Sequence, residues 1–153
     1  MIFLEPTIKI FFAIHGLVAM ATLIALTIAW LGFFKRSASL KSVNLWSLIG
    51  AAGYIFTWLF GLLIYPVFRV RVRAEYFDPN LPWATGLFEI KEHLSSLGLF
   101  AALALLVIIL MDFRGDKRIA GKNTSHAFLL YFVWLITVTT AVIGFILTSL
   151  KSL

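Results

Sequence analysis

The sequence predicts an all-α integral membrane protein, a four-helix up-down bundle, and three observations lead there. Hydrophobic residues make up 61% of the 153 residues, and charged ones only 13%. Mean hydropathy is +0.99, far above that of a soluble domain of this size. The apolar residues also fall into four long runs, each able to supply the ~20 residues that cross a bilayer as helix.

The runs cover residues 10–34, 45–68, 94–111 and 127–150. With flanking turns they predict helices over about 7–34, 44–68, 83–111 and 125–150, in one transmembrane domain spanning 1–153. A membrane barrel is a poor alternative, because barrel strands alternate in character over ~10 residues and these runs are continuous. The first run exceeds a signal-peptide core in length and is expected to be retained.

Small residues recur at helical spacing on two spans. Gly53, Thr57 and Gly61 form one stripe, and Thr140, Gly144 and Thr148 another. Such stripes let helices approach closely, so both are read as packing seams.

Charge is confined to the ends of the runs. The net charge of +6 lies in short clusters beside apolar segments, where Lys and Arg orient a protein and meet lipid headgroups, so nucleic acid is not the expected partner. Lys35, Arg36, Lys41, Arg114, Lys117, Arg118 and Lys122 share one side, against Lys9, Arg69, Arg71, Arg73, Lys91 and Lys151 on the other. That balance places both termini on the non-cytoplasmic side. The absence of cysteine excludes disulfides, thiolate metal sites and iron–sulfur ligation.

Two histidines stand out on one side of the bilayer. His15 interrupts the first run, and His93 precedes the third. Ionisable groups inside a span are costly and mark functional positions. In an up-down bundle the two share a depth, and neutral imidazoles from different helices suit axial ligation of haem iron. Arg69, Arg71 and Arg73, at the same side, suit the haem propionates. Glu89, His93, Ser96 and Phe100 share one face of the third helix by spacing, with Glu92 beside it and Lys91 directed elsewhere. Glu89, Glu92 and Lys91 are candidates for proton transfer, for example to a quinone. A di-iron or zinc centre is not expected, because no carboxylate lies within the other spans to complete its ligands. His126, on the opposite side, is read as an interfacial or capping residue.

The segment following the second run alternates, Phe68-Arg-Val-Arg-Val-Arg73. This predicts an extended strip in the headgroup region. Asp78-Pro-Asn and Leu81-Pro-Trp83 then signal turns in a long connection.

A histidine early in the first span (His15) and an Ile-Lys pair entering the third (Ile90-Lys91) resemble the HemJ type of protoporphyrinogen oxidase and the CopD-like proteins, which are small haem-associated membrane families. The resemblance implies roles in haem binding and activity for His15 and Lys91. The resulting expectation is a b-type haem protein taking part in electron transfer, with a quinone as candidate partner and His15 and His93 as iron ligands. The alternative is a non-catalytic accessory subunit packed in a larger membrane complex.

Overall fold

A computed structural model describes residues 7–35, 39–113 and 124–151. Arg36 and the basic residues within 114–123, counted above for orientation, lie outside the described residues. The four expected spans are present as α1 (Ile8–Phe34), α2 (Leu40–Phe68), α3 (Pro82–Phe113) and α4 (Thr124–Leu150). All four are long and apolar enough to cross a membrane, and no strand occurs among the described residues. The protein is a multi-pass, all-α bundle.

Each boundary has a local cause. The Ser39 hydroxyl accepts the Ser42 amide at 3.2 Å, capping the first turn of α2. Thus α2 begins four residues before the predicted helix start at 44. Lys35 adopts an extended conformation that stops α1. Pro82 opens α3, where its missing amide costs nothing.

The helices close into a ring in which α1 packs on α2, α2 on α3, α3 on α4, and α4 on α1. Helices α1 and α3 therefore form a diagonal pair. The small-residue stripes are the seams: a Cβ at Gly53 would collide with the Thr22 hydroxyl, and one at Gly50 would press on Leu26. Threonine hydroxyls within the spans bond their own i−4 carbonyls, as at Thr22, Thr57, Thr137 and Thr148. They thereby avoid presenting an unmet donor to lipid. The Trp134 indole donates across to Thr27 Oγ1 at 3.0 Å, tying α4 to α1. Outward positions such as Leu17, Phe100 and Phe145 remain at least 70% exposed, as surfaces that meet acyl chains rather than water do.

The main departure from expectation lies after Phe68. The alternating segment is helical, not extended. A π-helix covers Arg69–Phe77, a short α-turn covers Asp78–Asn80, and Leu81 is the one non-helical residue before α3. Buried residues explain the difference. Phe68, Val72 and Phe77 recur at intervals of four and five, the spacing that wide i→i+5 turns bring to one side. They pack with Ala84 and Phe88 of α3, Ile8 of α1, and Ile143 and Leu147 of α4. Phe68 stacks on Phe88 with centroids 5.0 Å apart. Val70, the other half of the apparent alternation, stays exposed. This helical crown covers one end of the bundle, called below the crown end. The opposite end, where residues 35–39 and 114–123 connect the spans, is the loop end.

Candidate functional site

At the crown end the positions expected to carry chemistry divide into an inward and an outward set. His15, in the second turn of α1, is half-buried against α2. Its Nδ1 lies 2.9 Å from the Thr57 carbonyl oxygen. A carbonyl only accepts, so Nδ1 carries the proton and donates, leaving the lone pair on Nε2. Gly61 lies beside the ring, where a Cβ would stand 3.5 Å from His15 Cε1, at ordinary contact distance. The Gly53–Thr57–Gly61 seam thus also seats the imidazole.

Lys91 corrects the helical-wheel reading that turned it away. It is half-buried, and its Cε lies 3.3 Å from where a Cβ of Gly144 would stand. Its ammonium lies within electrostatic reach of His15 and of Glu92. The reason is the buried stripe of α3, which runs Ala84, Phe88, Lys91, Ser95, Gly98, Ala102, Leu105, Ile109 at intervals of three and four. Lys91 falls on that stripe. Glu89, His93, Ser96 and Phe100 lie on the other side of the helix and are exposed.

His93 therefore faces outward. Its Nδ1 donates to the Glu89 carbonyl one turn back at 2.7 Å, and its helix stands diagonally from α1. The bundle interior brings together His15 and Lys91; it does not hold His93.

The three arginines are engaged within the chain. Arg69 donates to the Tyr65 hydroxyl at 3.3 Å and lies over its ring. Arg71 pairs with Glu75 at 3.2 Å. Arg73 reaches Glu89 of α3 at 2.6 Å and Asp78 at 3.8 Å, while Thr85 donates to the same Asp78 oxygen at 2.6 Å. Together these contacts clasp the crown onto the first turns of α3. An anionic ligand at Arg71 or Arg73 would compete with those carboxylates.

The loop end holds His126, expected as an interfacial or capping residue, and Asp112, which sequence reasoning passed over. His126 is not a surface cap: it is fully buried, with Nε2 3.2 Å from Ser47 Oγ and the ring edge-on to Phe33 at 5.1 Å. Its Nδ1 faces Asp112 Oδ2 at 3.9 Å, and the Asn44 amide donates to that same oxygen at 3.4 Å. His126 opens the buried stripe of α4 that continues through Leu130, Val133 and Thr137, and Asp112 continues that of α3 one step past Ile109. The stripes, extended outward to the helix ends, are the signal that would have located both residues.

Among the described residues no group of three or more His, Cys, Asp or Glu side chains is placed to hold a metal ion. Comparison with family models, curated proteins and solved structures yields no match to this chain.

Proposed function

We propose that this is a small haem-binding membrane protein of electron-transfer type, with His15 as the axial ligand of a b-type haem. One observation carries the reading: the Nδ1–H···O=C bond to Thr57. Histidines that ligate metals characteristically donate their other ring nitrogen to a carbonyl or carboxylate, which fixes the tautomer and holds the ring in place. His15 has that arrangement inside a span, where an ionisable group is otherwise costly.

The neighbouring residues have definable parts. Thr57 orients the imidazole, and Gly61 flanks it. Lys91 supplies a cation, or when neutral a second nitrogen donor, from the facing side of the interior. The apolar lining of the spans excludes water. When bound, haem iron would supply reversible one-electron transfer.

The test is an optical spectrum of the full chain, purified with haem supplied and recorded oxidised and reduced. A Soret band with a reducible b-type signal is expected, lost in His15→Ala and retained in His93→Ala. Absence of the signal from the unsubstituted protein would refute the reading.

A second reading rests on the outward face of α3. His93 and Ser96 are polar and exposed on a membrane-length helix, and polar groups on such a face are suited to hydrogen bonds with a neighbouring helix. That favours an accessory subunit docked in a larger complex through α3. Extraction in mild detergent distinguishes the two, since migration as an isolated small particle would count against the subunit.

A further inference from the structure

The loop end contains a second polar centre, separate from the one around His15 and not dependent on the haem reading. Asn44 and Ser47 come from α2, Asp112 from the end of α3, and His126 from the start of α4. Lys91 and Asp112 are separated by 21 residues of one helix, about 32 Å at ~1.5 Å per residue, so the two centres lie near opposite ends of the bundle.

Burial is nearly complete. His126 and Ser47 are at 0% exposure and Asn44 at 5%, and the Asp112 side chain is at 2%. The Phe33 ring of α1 meets the imidazole edge-on at 5.1 Å, adding an apolar wall.

The contacts within the cluster follow one pattern. On each of three side chains, one polar atom is engaged and the other is not. Ser47 Oγ lies 3.2 Å from His126 Nε2, while His126 Nδ1 is buried without a hydrogen-bond partner among the described residues. The Asn44 amide nitrogen donates to Asp112 Oδ2 at 3.4 Å, while Asn44 Oδ1 and Asp112 Oδ1 are left in the same condition as Nδ1. Buried polar atoms are ordinarily met, and leaving them unmet is costly. Three such atoms in one cluster point to a ligand they share.

Those atoms make a donor set of an imidazole nitrogen, a carboxylate oxygen and an amide oxygen, supplied by three helices. Ser47 can donate to Nε2 or accept from it, so it serves either tautomer of His126. Binding of an ion selects the tautomer with the lone pair on Nδ1, whose Nε2–H then donates to Ser47 Oγ. The engaged atoms already have the outer partners that metal ligands characteristically have: a ligating histidine donates its other ring nitrogen, and a ligating carboxylate is itself hydrogen-bonded. The 3.9 Å from His126 Nδ1 to Asp112 Oδ2 is too long for a hydrogen bond. It lies within the ~4 Å that two ligand atoms, each ~2.0–2.1 Å from one ion, can span.

One histidine and one aspartate fall short of a group of three acidic or histidine ligands, and the Asn44 amide oxygen supplies the third donor. Asp112 stands just past the apolar run 94–111, so it is not met by looking for carboxylates within the spans. Nitrogen with carboxylate and amide oxygen, and no thiolate, fits a divalent first-row cation such as zinc.

We propose that Asp112, His126 and Asn44 bind one divalent cation of the zinc class, with Ser47 orienting the imidazole, and that the ion fastens α2, α3 and α4 together at the loop end. Three protein ligands leave a further coordination position for water.

The experiment uses the full chain in phosphatidylcholine nanodiscs, freed of metal with a chelator and carrying no histidine tag. Zinc binding is measured by titration calorimetry, and the ligand shell of the zinc-loaded protein by X-ray absorption. One saturable zinc per chain is expected, with nitrogen and oxygen ligands that include a single imidazole. Binding should be lost in Asp112→Asn and in His126→Gln, weakened ~10–100-fold in Ser47→Ala, and unchanged in His93→Ala. The ligand shell is read on the unsubstituted protein, so a variant that fails to fold cannot imitate the result. Absence of saturable zinc from the unsubstituted protein, binding retained in both Asp112→Asn and His126→Gln, loss in His93→Ala, or two imidazoles on the ion overturns the proposal. So does an infrared band of enclosed water that persists unchanged at saturating zinc, which would identify water as the shared ligand.

Discussion

Gly98→Ala tests how tightly the centre of the bundle is closed. A Cβ at Gly98 would collide with the Tyr54 hydroxyl, and would stand 2.6 Å from Tyr54 Cζ and 2.9 Å from Ile136 Cγ2. Tyr54 is itself buried, and its hydroxyl donates to the Ser95 carbonyl at 3.1 Å. The phenol must move, with an overpacking cost of ~1–3 kcal/mol and loss of a hydrogen bond worth ~1 kcal/mol. The better helix propensity of alanine returns at most ~1 kcal/mol. The predicted net loss is about 1–3 kcal/mol, because the steric and hydrogen-bond terms exceed the backbone gain. Reversible unfolding by SDS in mixed micelles measures it. Gly16→Ala and Gly86→Ala serve as internal controls, since a Cβ at either meets nothing within 4 Å; they should be neutral or stabilising. Tyr54→Phe removes the colliding oxygen, so the double variant should be more stable than the sum of the two singles by ~1 kcal/mol. If Gly98→Ala unfolds like Gly16→Ala, the close approach of α2 and α4 to α3 is wrong.

Three further outcomes follow from particular contacts. Phe77→Ala empties a fully buried position in the crown and should cost ~3–5 kcal/mol in the same micelle assay; a value under ~1 kcal/mol would mean the crown does not pack on the bundle end. Arg73→Ala removes both the Glu89 and Asp78 contacts, but those carboxylates are about half exposed and screened, so a loss of only about 1 kcal/mol is expected. Amide hydrogen exchange should quicken across residues 69–80 and stay unchanged in mid-span, and uniform quickening would contradict a local clasp. Trp134→Phe breaks the indole bond to Thr27 and should cost about 1 kcal/mol, reduced when Thr27→Val is already present.

The spans were legible because burial in lipid demands apolar residues in unbroken runs, and that demand is written along the chain. The packing seams at Gly53, Gly61 and Gly144 were legible for a similar reason: small size at fixed spacing has few other uses. The crown was not. Val70 and Val72 alternate with arginines as strand residues would, and only contact with Phe88, Ala84 and Leu147 shows that Val72 is buried while Val70 is not. Polar residues near helix ends were the second blind spot. His93 and His126 each sit within a few turns of a boundary, and sequence alone leaves that boundary uncertain by about a turn. Following the three-four stripe outward separates them: His126, Asp112 and Lys91 lie on buried stripes and His93 does not. That logic was available from the residues. What was not available is pairing, because Asp112 and His126 meet through the placement of α2, α3 and α4 together.

The short crossing at Leu81 sets how the bundle can move. Helix α2 runs on through the π-segment to Asn80, and a single non-helical residue separates it from Pro82. Two rods joined with so little slack cannot tilt independently. A rotation of α2 within the bilayer acts as torque on the projecting crown, and the crown bears directly on α3 through Phe68, Phe77 and Phe88 and through Arg73. Lys91 rides on α3 less than three turns beyond Pro82, while the carbonyl that orients His15 belongs to α2. The carbonyl that orients His15 and the helix that carries Lys91 are thus joined by one stiff lever, so a displacement of α2 is delivered mechanically to α3.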